Sequence, residues 1–279
     1  MALYTGTSSS VFTRLFGLEE GLKKIKECGF DCVEIDLNQA ECAEVLRTGE
    51  GLREYFEKVK KTADEAGVCV CQTYLSTDVD NPSLTVAKNA VIATAVLGAK
   101  FAVIEPIVLS DSENTFVENL DKNVAYYGAL KEIVKGKDVT VAIPNTVGYN
   151  ELKKTGAPNA YSSAGKVLQL LGCLGEGFCA CLDTARSYYA GQLPAHTARL
   201  LGDTLKTTRL ADCDGQGEER LAITAGYIVW NNVVVALKEI GFEGVLNFDV
   251  DYVRSGESPL VYLGQLTSAL GRGFIAKMQ

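Results

Sequence analysis

Eight short apolar runs, separated by stretches of helical periodicity, are the feature that most limits how this chain can fold. Each run has the length and residue content of a β-strand, whereas a stretch such as residues 52–67 repeats apolar residues every three or four positions. The predicted strands are ALYTGT (2–7), DCVEID (31–36), VCVCQTY (68–74), FAVIEPI (101–107), VTVAIPN (139–145), FCACLD (178–183), LKTTRLA (205–211) and VLNFDV (245–250). Continuous apolar runs joined by helices predict parallel strands that are covered on the outside.

Eight strand–helix units in about 250 residues match the size of a (β/α)₈ barrel. We therefore predict one α/β domain over residues 1–279, a TIM barrel whose last helix lies near 258–270. The alternative is an open, doubly wound sheet. Its usual nucleotide-binding loop is missing, because the only candidate, GQGEE, lacks the third glycine and does not follow the first strand.

Charge and hydropathy exclude several partners. The chain has 27 Lys and Arg against 35 Asp and Glu, a net charge of −8, and has no basic run. This balance argues against binding to nucleic acid or to an anionic membrane surface. No apolar stretch approaches the roughly 20 residues of a membrane span, and the N-terminus does not resemble a secretory signal, so we expect a cytoplasmic protein.

The nine cysteines do not predict disulfides or a zinc site. Their number is odd, no CxxC pair occurs, and the chain contains only one histidine. Two CxC pairs, Cys69 with Cys71 and Cys179 with Cys181, lie inside predicted strands. We expect these thiols to be buried and reduced.

Polar residues collect where the predicted strands end, which is the catalytic face of a (β/α)₈ barrel. They are Glu34, Asp36, Gln72, Tyr74, Glu105, Asn145, Asp183, Arg186, Arg209, Asp212, Asp249 and Asp251. Because buried charges are unfavourable unless paired, this set predicts either a polar site or a group of salt bridges. Strand alternation alone leaves open whether Glu34 and Glu105 point into the barrel or toward the helices.

Four segments resemble the sugar phosphate isomerase/epimerase family of xylose isomerase-like TIM barrels. They are GFDCVEI, FCACLDTARSYYAG, LKTTRLADCDGQGEERLAI and FEGVLNFDV, and the resemblance follows the whole chain in order. It implies a (β/α)₈ barrel with Mn²⁺ or Mg²⁺ held by a Glu, an Asp, a His and a Glu that end strands five to eight. The two glutamates exchange protons with the substrate. The resemblance also implies a homo-oligomer, since members are often dimers or tetramers.

This chain departs from the family's metal ligands at three of the four positions. The first Glu falls on Pro144, the His on Arg209 and the last Glu on Asp249, while Asp183 is kept. A neighbouring family histidine falls on Arg186. Asp183 and Asp249 are then the only candidate metal ligands. Because an arginine among the ligands brings a permanent positive charge, we expect binding of Mn²⁺ or Mg²⁺ to be weak or absent, and we expect no other cofactor.

We therefore predict that the guanidinium of Arg209 replaces the cation between Asp183 and Asp249. The predicted catalytic residues are Asp249, Glu105 and Asp183, and the predicted substrate-binding residues are Arg186, Arg209, Asn145, Glu34, Gln72, Tyr74 and Asp212. The arginines would face the anionic group of a sugar acid or sugar phosphate. Two simpler interpretations stay open: the aspartates cap loops, or the arginines only neutralise them.

Three further candidates receive weaker support. His196 follows Pro194 at the start of a predicted helix, so we interpret it as a surface or packing residue. Lys206 is a conceivable Schiff-base nucleophile, but it lies in the middle of a strand between threonines, which makes this a minor option. The pair Tyr188 and Tyr189 could stack on a sugar ring, but aromatic residues at the start of a helix more often pack against the core.

Three functional classes remain. The first is an isomerase or epimerase of a small carbohydrate or sugar phosphate. The second is a non-catalytic carbohydrate-binding descendant of the same barrel. The third is a nuclease of the related apurinic-site barrels, which the single histidine disfavours because those sites use several metal-bound histidines.

Overall fold

The computed structural model describes residues 3–78, 82–109, 116–150, 155–215, 220–255 and 260–279. Its strands are β1 (Tyr4–Ser8), β2 (Cys32–Asp36), β3 (Cys69–Leu75), β4 (Phe101–Ile104), β5 (Thr140–Pro144), β6 (Gly148–Asn150), β7 (Thr155–Ala157), β8 (Phe178–Asp183), β9 (Leu205–Arg209) and β10 (Val245–Phe248). Its α-helices are α1 (Ser10–Glu27), α2 (Ala40–Thr48), α3 (Leu52–Ala66), α4 (Leu84–Leu97), α5 (Phe116–Gly128), α6 (Lys131–Val134), α7 (Ala164–Leu174), α8 (Thr184–Tyr189), α9 (Pro194–Leu201), α10 (Trp230–Glu239) and α11 (Leu260–Met278). Short 3₁₀ turns cover Gly202–Thr204 and Tyr252–Ser255.

Eight parallel strands form a nearly closed barrel in the order β10-β1-β2-β3-β4-β5-β8-β9. A parallel bridge between Leu210 and Phe248 joins the two outer strands of this order. The arrangement confirms the predicted (β/α)₈ barrel, and each of the eight predicted runs overlaps one barrel strand, with β1 and β3 extending one residue further than predicted. Gly67 and Gly98 take left-handed conformations directly after α3 and α4, and each ends its helix before the next strand.

The structure differs from the sequence prediction in three places. The fourth strand ends at Ile104, before Pro106, whereas we predicted that it continues to residue 107. A small antiparallel hairpin, β6 with β7, lies in the loop after β5 and was not predicted. The last helix is longer than expected, since α11 continues to Met278.

The buried apolar residues form two clusters, one outside the barrel and one inside it. The larger cluster packs the helices against the outer faces of the strands. The smaller one fills the barrel with Tyr74, Phe101, Val103, Ala142, Cys179 and Cys181. Because side chains alternate along a strand, the residues two positions after Val103, Ala142 and Cys181 also point inward. These residues are Glu105, Pro144 and Asp183, and they lie at the carboxyl-terminal mouth of the barrel.

The cysteines follow the prediction only in part. Cys179 and Cys181 are buried inside the barrel, as expected. Cys69, however, is exposed, and its sulfur lies 2.7 Å from that of Cys32 on the neighbouring strand β2. Among the residues that the structure describes, no helix is long and apolar enough to cross a membrane.

Candidate active site

Arg209, the last residue of β9, is the centre of the barrel mouth. Its side chain is buried and its Nη2 lies 2.7 Å from Oδ2 of Asp249. Its Nε lies 3.3 Å from Oε2 of Glu34, and its Nη1 lies 4.0 Å from Oδ2 of Asp183. The guanidinium also stacks over the ring of Tyr74, 3.4 Å from the ring centroid. The position between Asp183 and Asp249 is the one predicted for this arginine.

A second arginine, Arg186 on α8, connects three other predicted residues. Its Nη1 contacts Oε1 of Glu105, its Nη2 donates to the Tyr74 hydroxyl at 3.2 Å, and its Nε lies 3.6 Å from Oδ2 of Asp183. The Tyr74 hydroxyl also donates to Glu105 Oε1. Arg186 and Tyr74 therefore hold Glu105 in one orientation.

Arg220, which the sequence analysis did not select, completes the cluster. Its Nη2 lies 2.7 Å from Oδ1 of Asp249, and its Nε donates to the main-chain oxygen of Asp249 at 3.3 Å. The two oxygens of Asp249 are thus bound by two different arginines. The only sequence signal for Arg220 is a basic residue in the loop after the seventh barrel strand, where the barrel rule would have permitted it.

Glu34 lies one layer below Arg209 and is fully buried. Its Oε2 accepts hydrogen bonds from Gln72 Nε2 at 2.6 Å and from Asn247 Nδ2 at 3.2 Å, whereas its Oε1 has no partner within the described residues. Gln72 in turn donates to the Thr208 carbonyl and accepts from Thr207. Glu34 and Gln72 therefore support Arg209 from below, and the prediction that they contact substrate is not matched by their positions.

Asp183 fits both interpretations that the sequence left open, since it caps a segment of main chain and also pairs with the arginines. Its Oδ1 caps α8 by accepting from the main-chain N–H of Arg186 at 3.0 Å, and its Oδ2 faces the two arginines. Asn145 holds the main chain at this point, because its amide donates to the Asp183 carbonyl at 3.0 Å and accepts from the Asp183 N–H at 2.8 Å. Asn145 therefore positions the main chain of Asp183, and it does not line the cavity at the centre of the cluster.

Asp212 was predicted to bind substrate, and its surroundings contradict that role. It is fully buried, and its two oxygens accept four hydrogen bonds from the loop after β9 and the start of α10. The donors are the main-chain N–H groups of Cys213, Thr224 and Ile228 and the indole of Trp230, at 2.8–3.0 Å. Asp212 fixes the loop that carries Arg220. This structural role accounts for the acid at the end of the strand, and no catalytic role is needed to explain it.

The remaining candidates lie away from the mouth of the barrel. Asp36 and Asp251 line a neighbouring cleft. His196 is exposed on α9, as interpreted from the sequence, and Lys206 is exposed on β9. Of the tyrosine pair, Tyr189 is buried in the outer core, whereas Tyr188 lines a shallow pocket against α9.

A small cavity of about 50 Å³ opens at the centre of the cluster. It is lined by Tyr74, Asp183, Ala185, Arg186, Arg209, Ala211, Arg220 and Asp249. Glu105 faces a separate cleft of about 300 Å³ on the other side of Arg186. Two carboxyl groups therefore face the cavity, and the third predicted catalytic acid does not.

The pKa values of the two cavity carboxyl groups are displaced in opposite directions. Burial raises the pKa of Asp183 above its usual value, and the attraction of Arg186 and Arg209 offsets only part of that increase. Burial also disfavours the charged form of Asp249, but Arg209 and Arg220 outweigh it and hold its pKa below the usual value. Groups whose pKa values are displaced in opposite directions are suited to opposite roles in proton transfer.

The residues at this site do not fit a divalent cation. A hard cation needs several oxygen ligands, and here the Arg209 guanidinium lies against Asp249, Glu34 and Asp183 and carries a permanent positive charge. Pro144, at the family's first ligand position, offers no side-chain donor. Within the described residues, no group of three or more His, Cys, Asp or Glu side chains is arranged to hold a metal ion.

Glu34 makes the stability of the fold depend on pH. Burial raises its pKa to about 7, while Arg209 acts in the opposite direction. Between the usual value near 4.5 and about 7 the folded state keeps a proton that the unfolded state has lost, so stability falls as the pH rises. Between pH 5 and pH 8 we expect the free energy of unfolding of the wild type to fall by on the order of 2–3 kcal/mol through Glu34, at ~1.4 kcal/mol per pKa unit. We expect Glu34→Gln to lack this decrease.

Urea denaturation of the wild type and of Glu34→Gln at pH 5 and pH 8 measures this effect. The matched control is Glu44→Gln on α2, which removes an exposed carboxylate paired with Arg47. Equal pH dependence in the wild type and in Glu34→Gln would show that Glu34 does not titrate in this range.

Comparison with known proteins agrees with this architecture. Residues 22–263 match the family model of the xylose isomerase-like TIM barrel. A D-tagatose 3-epimerase-like protein has a similar structure, with a TM-score of 0.77, 17% sequence identity and coverage of 100% of this chain and 98% of that chain. D-Psicose 3-epimerase from Clostridium cellulolyticum H10, solved with D-tagatose, gives a TM-score of 0.74 at 15% identity and covers 98% of this chain and 99% of its own.

A third similar structure is that of the IolI protein with a bound zinc atom. Its TM-score is 0.72 at 17% identity, with coverage of 100% of this chain and 99% of that chain. At these identities the three structures establish the fold. Comparison with curated proteins finds no similar sequence.

Proposed function

Because the chain belongs to the xylose isomerase-like TIM barrel family, we propose that it is an isomerase or epimerase of a neutral keto sugar that moves a proton at the carbon beside the carbonyl. The observation that carries this proposal is the pair Asp183 and Asp249, which line one cavity with oppositely displaced pKa values. Removal and return of a proton require two such groups.

Each side chain at the cavity has a role in this reaction. Asp249, held as a carboxylate by Arg209 and Arg220, removes the proton. Asp183, whose pKa is raised, returns a proton from the other side of the substrate. The guanidinium groups of Arg186 and Arg209 donate hydrogen bonds to the enediolate oxygens as negative charge develops there. Arg209 thereby supplies the positive charge that a cation would otherwise provide.

The charge balance favours a neutral sugar over a sugar phosphate. The described cluster contains three arginines and the four acids Glu34, Glu105, Asp183 and Asp249, and every arginine already contacts a carboxylate. A phosphate dianion would have to displace those carboxylates. The arginines are thus paired with acids, whereas the sequence led us to expect that they face an anionic substrate group. Two of the similar structures, the D-tagatose 3-epimerase-like protein and the D-psicose 3-epimerase solved with D-tagatose, agree with a keto sugar.

Solvent deuterium exchange tests the proposal. The protein is incubated in D₂O with D-fructose, D-tagatose or D-psicose, and ¹H NMR follows the signal of the proton beside the carbonyl. We expect exchange with at least one sugar and a loss of ~10²-fold or more in rate for Asp249→Asn and for Asp183→Asn, the usual contribution of a general acid or base. The control is Asp138→Asn, an exposed carboxylate paired with Lys100.

A second function is favoured by the tight pairing within the cluster. Because the cavity is small and its arginines are all bound to acids, a protein that binds sugars without turnover would have the same appearance. Sugar binding by calorimetry without any deuterium exchange would favour this alternative. Self-association and a cytoplasmic location remain predictions, which sedimentation and cell fractionation can check.

A further inference from the structure

A much larger cavity lies beside the central one, between α1 and the helices α2 and α3. Its volume is about 540 Å³, against about 50 Å³ for the cavity at Asp183 and Asp249. Ligand pockets in proteins measure roughly 300–1,000 Å³, whereas 50 Å³ is space for about one or two waters at ~30 Å³ each. A sugar that reaches the two aspartates must therefore extend into neighbouring space. We name the larger cavity, lined by parts of residues 9–18, 35–42 and 55–59 together with Arg220 and Asp251, the α1 cleft.

Arg220 separates the α1 cleft from the central cavity and lines both. Its Nη2 lies 2.7 Å from Asp249 Oδ1 on the cavity side and donates to Ser10 Oγ at 3.2 Å on the cleft side. The side chain is 39% exposed, so it can move without unfolding its surroundings. A ligand in the cleft that replaces the Ser10 contact would lie directly beside the central cavity.

A break in α1 forms one wall of the cleft. Gly17 has φ 75° and ψ 173°, which interrupts the helix between its two halves. A side chain is strained at this φ, although a Cβ there would meet no atom within 4 Å. Glycine is therefore needed here for its positive φ and not for lack of space, and the open space beside it belongs to the cleft.

The lining of the cleft suits a neutral, hydroxylated group. Its apolar part includes Leu18, Ile35 and Val59, and its polar part includes Gln39 and the Tyr55 hydroxyl. Arg14, also in the lining, is exposed and has no hydrogen bond or ion pair with any residue that the structure describes. Acids and arginines both occur in the lining, so neither sign of charge dominates. A sugar ring matches such a surface with its C–H face and its hydroxyl edge.

We propose that the α1 cleft is a second sugar subsite and that the substrate has two parts. The keto sugar at one end reaches Asp183 and Asp249, and a neutral, hydroxylated substituent joined to it, such as a second sugar, occupies the α1 cleft. This inference rests on the proposed function, because it assigns the reacting end to the same two aspartates. Binding energy from the substituent then favours reaction at the far end, so a truncated substrate reacts more slowly.

Deuterium exchange with matched sugars tests this subsite. The free ketoses D-fructose and D-tagatose are compared with the ketose disaccharides isomaltulose and lactulose. We expect kcat/KM for exchange to be at least ~10-fold higher for one of the disaccharides than for either free ketose. Ala40→Trp, at an exposed position in the cleft lining, should reduce this ratio to about one. Ala276→Trp, at an exposed position on α11, should leave the ratio as it is in the wild type.

The outcomes separate this inference from the proposed function. Exchange of the free ketoses that matches the disaccharides, or a ratio that Ala40→Trp does not change, overturns the subsite and leaves the epimerase proposal intact. Absence of exchange with every sugar contradicts the epimerase proposal. In that case calorimetry with the same disaccharides decides the subsite: binding that Ala40→Trp abolishes supports it, and absence of binding to the wild type overturns it.

Discussion

Replacing Arg209 by methionine lowers the free energy of unfolding by ~3–5 kcal/mol, the usual result of removing one partner from a buried ion pair. Arg209 is the only arginine in the described structure that contacts Glu34, and it also lies against Asp183 and Asp249. Methionine has a similar length and no charge, so the carboxylates lose their shared cation while the volume is largely kept. Urea denaturation at pH 8 measures the difference, because Glu34 is then largely ionised.

Two further variants make this result specific. Arg199→Met removes an exposed arginine paired with Glu239 and should cost less than ~1 kcal/mol. Arg209→Lys keeps the charge but loses the planar fork that reaches several acids at once, so its stability should lie between the wild type and Arg209→Met. A loss in Arg209→Met no larger than that in Arg199→Met would mean that the acids do not depend on Arg209.

Replacing Pro144 by glutamate and Arg209 by histidine creates a metal site where the wild type has none of comparable strength. The two changes restore the ligand types that the family resemblance implies, beside Asp183 and Asp249, and remove the guanidinium that repels a cation. We expect the double variant to bind Mn²⁺ in the micromolar range and the wild type no more tightly than ~1 mM, a difference on the order of 10³.

Calorimetric titration with Mn²⁺ and Mg²⁺ on chelator-treated protein measures both affinities. Arg209→His alone is the matched control, since it removes the guanidinium without adding the new carboxylate. Micromolar binding of Mn²⁺ or Mg²⁺ by the wild type would contradict the hypothesis that Arg209 takes the place of the metal ion. A folded double variant without increased affinity would show that positions 144 and 209 do not form a ligand set with the two aspartates.

Much of the fold follows from local patterns in the sequence. Apolar runs of strand length, amphipathic stretches between them and glycines such as Gly67 at the helix ends are all properties of neighbouring residues. They predicted eight parallel strands and located most of the strand ends where charged residues collect. The hairpin β6–β7 escaped prediction because it has only three residues on each side and no apolar alternation.

The roles of individual polar residues were much less predictable. Asp212 and Asp249 both end or follow a strand, and the sequence assigns both to the site. In the structure three donors from the following loop and one from the start of α10 surround Asp212, whereas Asp249 faces two arginines from different elements. No local pattern distinguishes the two, because the partners of Asp212 are main-chain and indole N–H groups of an irregular loop and the start of α10, and those of Asp249 come from a different strand and loop.

The sequence by itself determined the barrel, the acidic surface charge and the identity of the residues at the strand ends, since periodicity and composition depend only on residue order. The tertiary structure alone decided that Glu34 and Glu105 point inward, that Arg220 joins the cluster and that Asp183 and Asp249 share a cavity. The inward direction depends on strand parity, which a slip of one residue reverses. Burial and opposing charges displace the pKa values of the acids, and both arise only when distant strands come together.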